Sequence, residues 1–504
     1  MKTMVKEKIY KFNINQTKSR LVKVLKKNRN EATVADLVAA SGLPTYQVQE
    51  SLKVVLHEYR GHLKATESGE LLYYFPQGMV SQLKGFGPRF RRFLQKAGEV
   101  LAAVFSFLFK IWIMVMLVGY FVLFVVILLA AIAAAIAISF AGNDKDRRSS
   151  SSGVFRLVYL VINLFTRIWF YRQIFKEPGH AHAHAHARAP KPKGRPLNKA
   201  VFAYVFGEDD PNAAYSEQEK KAVLSWLRRH KGVITLEEFI ILTGKDIDQA
   251  QADLSYYMLE FEGQPEVTEE GAVLYFFPEL LRSSGDVAQS SVVSAQKRLV
   301  PFSANDKKQN GWITFFNGFN LVFGSYFLYF ATQFPTAGSL GEFQEITLDF
   351  VYRILFMYAE PFLANPALVI MVGLGFVPLV FSVLFYLIPF IRNQKRKKSN
   401  ELVKQENLRK ALYSRLLSSP EQVYPSSVAG ISPEETPKGQ KSFIDRELKR
   451  LSLEKSGEIH EGQAGEYYYS FSELAFEKAE VQKFRDQVDL NKYLTGKAVF
   501  DSGE

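Results

Sequence analysis

Shifted by 202 positions, the chain lies on itself without a gap: Gly263–Pro278 (GQPEVTEEGAVLYFFP) falls on Gly61–Pro76 (GHLKATESGELLYYFP). The register holds from Thr33/Thr235 onward and matches Gly42/Gly244, Gln49/Gln251, Leu52/Leu254, Glu58/Glu260, Gly69/Gly271, Tyr73/Tyr275, Phe75/Phe277 and Pro76/Pro278. A fixed-offset match of this length marks a duplicated structural unit, so whatever one stretch folds into, the other must fold into as well. A further shift of 194 gives a fainter third copy, in which Gly263, Gly271, Tyr275 and Phe277 meet Gly457, Gly465, Tyr469 and Phe471.

The pattern inside one copy predicts its elements. Residues 17–29 read as a basic amphipathic helix, and Thr33 with Asp36 three residues on reads as a capping box opening a second helix. Gly42 suits the positive φ of a tight turn, and Val48, Leu52, Val55 and Tyr59 line one face of a third helix. Gly61 stops that helix, and the stretch from His62 to Pro76, turning at Gly69, reads as a β-hairpin. Helix, helix, turn, helix and two-stranded wing is the order of a winged helix-turn-helix. Tyr73, Phe75 and Pro76, with their counterparts Tyr275, Phe277 and Pro278 and then Tyr469 and Phe471, are expected to anchor each wing to its core.

Hydropathy accounts for the rest of the 504 residues. Ile111–Gly142 carries no charge over 32 positions, more than the roughly 20 apolar residues that cross a bilayer as a helix. Two further uncharged runs, Trp312–Thr332 and Ala367–Ile391, are of spanning length, the last with a kink expected at Pro378. Val154–Phe175 is apolar except for a stripe of Arg156, Asn163 and Arg167, which suits either an interfacial helix or a second crossing. Glu342, Glu345, Asp349, Arg353 and Glu360 share one side of an expected outer interfacial helix. The fold class expected is α+β with transmembrane α-helices: three winged helix-turn-helix-like cytoplasmic repeats interleaved with two membrane blocks.

These patterns set the boundaries. Repeat 1 takes residues 1–80, and a basic juxtamembrane segment 81–98. Membrane block 1 takes 99–175, a His/Pro/Lys linker 176–199, repeat 2 200–285 and a second linker 286–310. Membrane block 2 takes 311–392, a basic segment 393–406, repeat 3 407–475 and a charged tail 476–504. Lys/Arg clusters at Lys84–Lys96, Lys297–Lys308 and Arg392–Lys398 place the N-terminus, repeat 2 and the C-terminus on the cytoplasmic side of a bacterial inner membrane or its equivalent.

Within the membrane segments, Ala130/Ala134 and Ala133/Ala137 form small-residue ridges that admit a close neighbouring helix. Asn317 and Asn320 share a face and should hydrogen-bond to a neighbour, since an amide facing lipid is costly. Candidate metal ligands are His180, His182, His184 and His186, alternating with alanine, although a low-complexity linker running into Pro190–Pro196 is the simpler reading. The acidic turn Gly207–Asn212 suits a hard cation or, more simply, a helix N-terminus.

Charge bears on partners. Residues 1–98 hold 18 Lys/Arg against 7 Asp/Glu, whereas 217–284 hold 7 against 13, and the third helix of repeat 2 carries Asp246, Asp248, Asp253, Glu260 and Glu262 with no Lys or Arg. Such a helix repels phosphate, so nucleic acid is not the expected partner, and protein contact is. The chain has no cysteine, which excludes disulfides, thiol catalysis and Cys-ligated clusters. It also lacks the phosphate-loop, nucleophile-elbow and HExxH patterns, so no enzyme activity and no cofactor is expected beyond a divalent metal at the His tract.

Two blocks, Val201–Asn212 (VFAYVFGEDDPN) and Glu262–Pro278 (EGQPEVTEEGAVLYFFP), resemble a family of multi-pass membrane proteins of cyanobacteria, other bacteria and plastids, some of whose plant members carry an iron–sulfur cluster biosynthesis label. The resemblance implies a membrane protein and supplies no catalytic residues. Without cysteine, this chain can at most assist other proteins in such a process. The leading expectation is a non-enzymatic membrane scaffold that docks proteins, lipid and further copies of itself. The alternatives are a membrane-tethered transcription regulator binding DNA through repeat 1, and a metal-responsive protein using His180–His186.

Overall fold

The computed structural model describes residues 12–79, 86–140, 195–283, 296–333, 368, 370–428, 439–462, 466–494, 496 and 498–502. The His180–His186 tract, the Val154–Phe175 segment, the expected outer helix and Gly465 lie outside them. Two compact units are formed, one by Met1–Phe90, Asp210–Val300 and Lys398–Glu504 and the other by Arg91–Asp209 and Pro301–Lys397.

In the first unit one order of elements recurs. The first copy runs α1 (Ile14–Lys27), β1 (Glu31–Ala32), α2 (Val34–Ser41), α3 (Thr45–Tyr59), β2 (His62–Thr66) and β3 (Leu71–Tyr74). Helix α1 begins earlier than residue 17 because the Asn13 side chain accepts from the amides of Asn15 and Gln16 and caps it there. The second copy runs α4 (Tyr215–Arg229), β4 (Val233–Ile234), α5 (Leu236–Thr243), α6 (Ile247–Phe261), β5 (Gln264–Val267) and β6 (Val273–Phe276). In the third, the end of α7 (Val377–Ser418) precedes an isolated bridge at Val423, then α8 (Gln440–Glu454), β7 (Glu458–Glu461) and β8 (Tyr467–Ser470). The final segment adds α9 (Ser472–Gln487) and β9 (Ala498–Asp501).

The copies agree in backbone detail. Thr33 and Thr235 both close capping boxes, with Asp36 and Glu238, and Gly42 and Gly244 both end the short helix in the left-handed region. Arg60, Glu262 and Ser456 all take positive φ at the end of the long helix. The glycine after each, Gly61, Gly263 and Gly457, donates to the carbonyls of Leu56, Met258 and Ser452, at 2.9 Å in all three. Each of these glycines also carries the ring of the phenylalanine that follows its hairpin. A Cβ would fall under 3.0 Å from the rings of Phe75, Phe277 and Phe471, none of which is more than 1% exposed. The same phenylalanines donate their N–H to the carbonyls of Asn30, Gly232 and Pro420 at 3.0, 2.8 and 2.8 Å. So the hairpin, the long helix and the strand before the short helix all meet on one ring. The hairpin turns at Gly69 and Gly271 take φ of 79° and 93°, which favours glycine although the space around them is open.

Within the three sheets the strands pair antiparallel, in the orders β1-β3-β2-β9, β4-β6-β5 and β7-β8. Ala32 faces Tyr73, Ile234 faces Tyr275 and Val423 faces Tyr469, so the short outer strand occupies one place in all three. One apolar cluster runs through the three copies, from Leu21 and Leu52 through Leu254 and Phe277 to Leu448 and Phe471.

The second unit is helical. Its chain passes through Phe86–Met114, a π-turn at Val115–Gly119 and Tyr120–Phe140, and then Leu197–Phe206 and Lys307–Gln333. It returns through a π-helical stretch, Ile370–Phe376, into α7. Among the described residues two helices, Ala103–Ile132 and Ile370–Ser418, are long and apolar enough to cross a membrane. The Trp312 segment, expected to be a third, has the length but is not among them, because Asn317, Asn320 and its tyrosines and glycines lower its hydropathy. The irregularity expected at Pro378 takes the form of the π-stretch before it, where the ring removes the N–H that a regular turn would need.

Gly263→Ala is expected to destabilise the protein by about 2 kcal/mol, because the methyl group overlaps the Phe277 ring. In a Phe277→Leu background the same alanine should cost well under half as much. Urea unfolding followed by Trp226 fluorescence checks both, and equal costs in the two backgrounds would disprove the contact.

Candidate functional site

The acids of the two capping boxes do a second job. Asp36 accepts from Arg228 at 2.7 Å and from Ser283 at 2.9 Å, and the Thr33 hydroxyl donates to the Arg282 carbonyl at 3.0 Å, all three partners coming from the second copy. Glu238, at the equivalent position, accepts from Arg485 of α9 at 2.6 Å. Both pairs are nearly buried, with 10 to 13% of each side chain exposed. In such surroundings desolvation offsets much of the attraction, but a lone charge left behind is costly.

The turn glycines face the next copy. Gly42 looks onto Lys220 and Lys221 of α4, and a Cβ at Gly244 would come within 2.5 Å of the Glu406 carbonyl. Arg409 clamps Glu447 through two bonds of 3.1 and 3.0 Å and donates a third to the Gly244 carbonyl at 2.8 Å. Beside it Lys410, buried, donates to the Tyr215 hydroxyl at 2.6 Å, and burial pushes the Tyr215 phenol well above its ordinary range.

Helix α6, expected to present its acids outward, uses them inside the chain. Asp248 pairs with Arg450 of the third copy at 2.7 Å, Asp253 pairs with Lys245, Glu260 with Lys220 at 2.6 Å, and Asp246 caps the helix. Lys18–Glu58 repeats the Lys220–Glu260 pair in the first copy, at 2.5 Å. Burial draws the Lys245 ammonium down, but Glu219 and Asp253 outweigh it and hold the group above its ordinary value. The same holds for Lys455 between Glu237 and Glu477.

Two grooves result, of about 420 and 340 Å³. Val34/Leu236, Val38/Ile240, Gln49/Gln251 and Tyr73/Tyr275 line them at the 202-residue offset. The following copy closes each, with Glu279 and Arg282 over the first and Tyr413 and Lys455 over the second. Burial raises the Glu279 carboxyl above its ordinary value, against the pull of Arg282. The matching glutamines and tyrosines were the sequence signal for these grooves, but their walls come from residues some two hundred positions away.

Of the expected wing residues, Phe75, Phe277, Tyr469 and Phe471 are buried, Tyr73 and Tyr275 half-buried and Pro76 exposed, while Pro278 opens a 3₁₀ turn. In the second unit, Ala130 is buried in the apolar cluster that also holds Phe327 and Ala331, and the side chains of Ala133, Ala134 and Ala137 lie outside those described. Asn317 and Asn320 are fully buried and donate to the carbonyls of Ser382 at 3.0 Å and Leu117 at 2.7 Å, on two different neighbours. Closer backbone approach occurs at a pair not singled out from the sequence: a Cβ at Gly375 would lie 2.8 Å from Leu328 Cα, and Gly324 faces Leu379 and Gly375. In the Gly207–Asn212 turn Glu208 is paired to Arg195 and accepts from the Ala304 amide at 2.9 Å. Among the described residues no cluster of His, Asp and Glu could hold a metal ion.

Over 266 residues, 50% of this chain, the sequence is 26% identical to an uncharacterized chloroplastic protein of Arabidopsis thaliana, and the match covers 46% of that protein. The chain therefore spans about half the length of that relative. No family model matches the chain, and no solved structure does.

Arg228→Met and Asp36→Asn should each cost about 2 kcal/mol, and the double variant distinctly less than their sum. Urea unfolding of the four chains measures the coupling, and strict additivity would show that the pair does not join the copies.

Proposed function

We propose that the protein is a non-enzymatic integral membrane scaffold, whose three copies act as winged-helix docking modules on the cytoplasmic side of a bacterial inner membrane or an equivalent one. The observation that carries this reading is the recurrence of one groove, between the short helix, the long helix and the wing, at the same offset in two copies. A surface built twice from matching residues suits recognition better than chemistry. The absence of cysteine and of catalytic motifs points the same way. Nucleic acid is disfavoured: α6 has no Lys or Arg of its own to offer phosphate, and on α3 Lys53 is paired with Glu50 at 2.6 Å.

Membrane insertion is supported by the two long apolar helices, and orientation by the Lys/Arg clusters that flank them. Oligomerisation or stable partnership follows from the scaffold reading. Extracted in mild detergent, the chain should run in light scattering and native mass spectrometry as an oligomer or a stoichiometric complex with a defined partner. A clean monomer with nothing bound would sink the proposal.

A further inference from the structure

The three wings offer the same strand edge in three different conditions. In the first copy the edge is β2, and it is covered: β9 lies antiparallel on it, with Lys64 facing Asp501 and Ala65 facing Phe500. The Leu63 carbonyl accepts from the Ser502 amide at 2.9 Å, and the Leu63 amide donates to the Ser502 hydroxyl at 2.8 Å. Leu63 faces Tyr73 across the hairpin. In the second copy the residue facing Tyr275 is Pro265, which has no N–H to give. That edge is blunted in the way proteins protect exposed strands.

In the third copy the residue facing Tyr469 is Ile459. The Tyr469 N–H and C=O are both engaged by Val423, at 3.0 and 2.9 Å, so the Ile459 pair is of the non-hydrogen-bonded kind and its own N–H and C=O point to the free edge. Among the described residues no strand covers it. Ile459 is 58% exposed, and Glu458 and Glu461 on either side are exposed as well.

We infer that the β7 edge, Glu458–Glu461, is a β-augmentation site for an extended basic segment of a partner protein. Charge selects the occupant. On the first copy the covering strand brings Asp501 to within 3.8 Å of Lys64, opposite charge on opposite strand. The third edge carries Glu458 and Glu461 at the registers of His62 and Ala65, with His460 at that of Lys64, so its complement carries Lys or Arg opposite the two carboxylates and an apolar residue opposite Ile459. Main-chain bonds to Ile459 and Glu461 supply the affinity, and the two carboxylates the selectivity. The chain's own β9, with Asp501 and no base within Ala498–Asp501, fits the first edge and not the third.

The inference rests on the docking reading but can fail separately from it. The probe is a fluorescein-labelled hexapeptide, Thr-Lys-Thr-Val-Lys-Thr, titrated by polarisation into the full chain in mild detergent at low salt. Saturable binding is expected. It should weaken at least about tenfold in Ile459→Pro and in the double variant Glu458→Gln/Glu461→Gln, and for the peptide with Glu in place of both Lys. Proline is tolerated at this register, since Pro265 occupies it in a folded copy. No saturable binding to the native chain, undiminished binding to either variant, or equal binding of the acidic peptide would each overturn the inference. An oligomer that binds no peptide would leave the scaffold standing without this site.

Discussion

In each copy a glycine with no room for a side chain holds the ring of a phenylalanine that follows the hairpin. The contact joins three elements distant in sequence: the end of the long helix, the hairpin, and the strand before the short helix, whose neighbouring carbonyl takes the phenylalanine N–H. Remove the ring and the hairpin loses its hold on the end of the long helix. Add a methyl group to the glycine and the ring must move. Dense interiors transmit such changes because they hold few voids to absorb them.

Three segments separated by long stretches of chain form one unit because each of the first two copies presents an acid and a turn glycine to a later segment. Asp36 and Glu238 first close their own capping boxes and then receive Arg228 and Arg485. One side chain thus fixes a helix start and a junction together. Head-to-tail contacts of this kind leave different surfaces at the two ends of the series, and the final segment runs back along it, leaving the third copy, packing α9 on the second and adding β9 to the first. The hairpin edges differ too: among the described residues one is covered by a strand, one is blunted by Pro265 and one carries no strand.

Much of this was legible from residues with local consequences. Thr33 with Asp36, Gly42, and the Val48, Leu52 and Val55 face each act within a few positions, and the structure uses them as the pattern requires. The 202-residue register then carries the same reading to the second copy. The third was faint because its matches are few, yet they include Gly457 and Phe471, the two residues of the central contact. What was not legible depends on pairs with no local signature. The acids of α6 look outward on a helical wheel, and only folding brings Arg450 to Asp248. Gly324 and Gly375 meet backbone to backbone with no shared motif, and nothing in AVFD announces the strand to which it adds. The Trp312 run is free of charge, yet its buried amides and its hydroxyls lower its hydropathy, a difference that a search for uncharged stretches does not see.

The central claim, that one contact is built three times, is tested most directly by hydrogen exchange with mass spectrometric readout on the intact chain in detergent. The Phe75, Phe277 and Phe471 amides all donate to backbone carbonyls behind the same glycine-held ring. Peptides containing them should therefore exchange among the slowest of the first unit and at comparable rates. Exchange of the Phe471 amide at the rate of an exposed turn, with Phe75 and Phe277 protected, would contradict the claim and leave a duplication rather than a triplication.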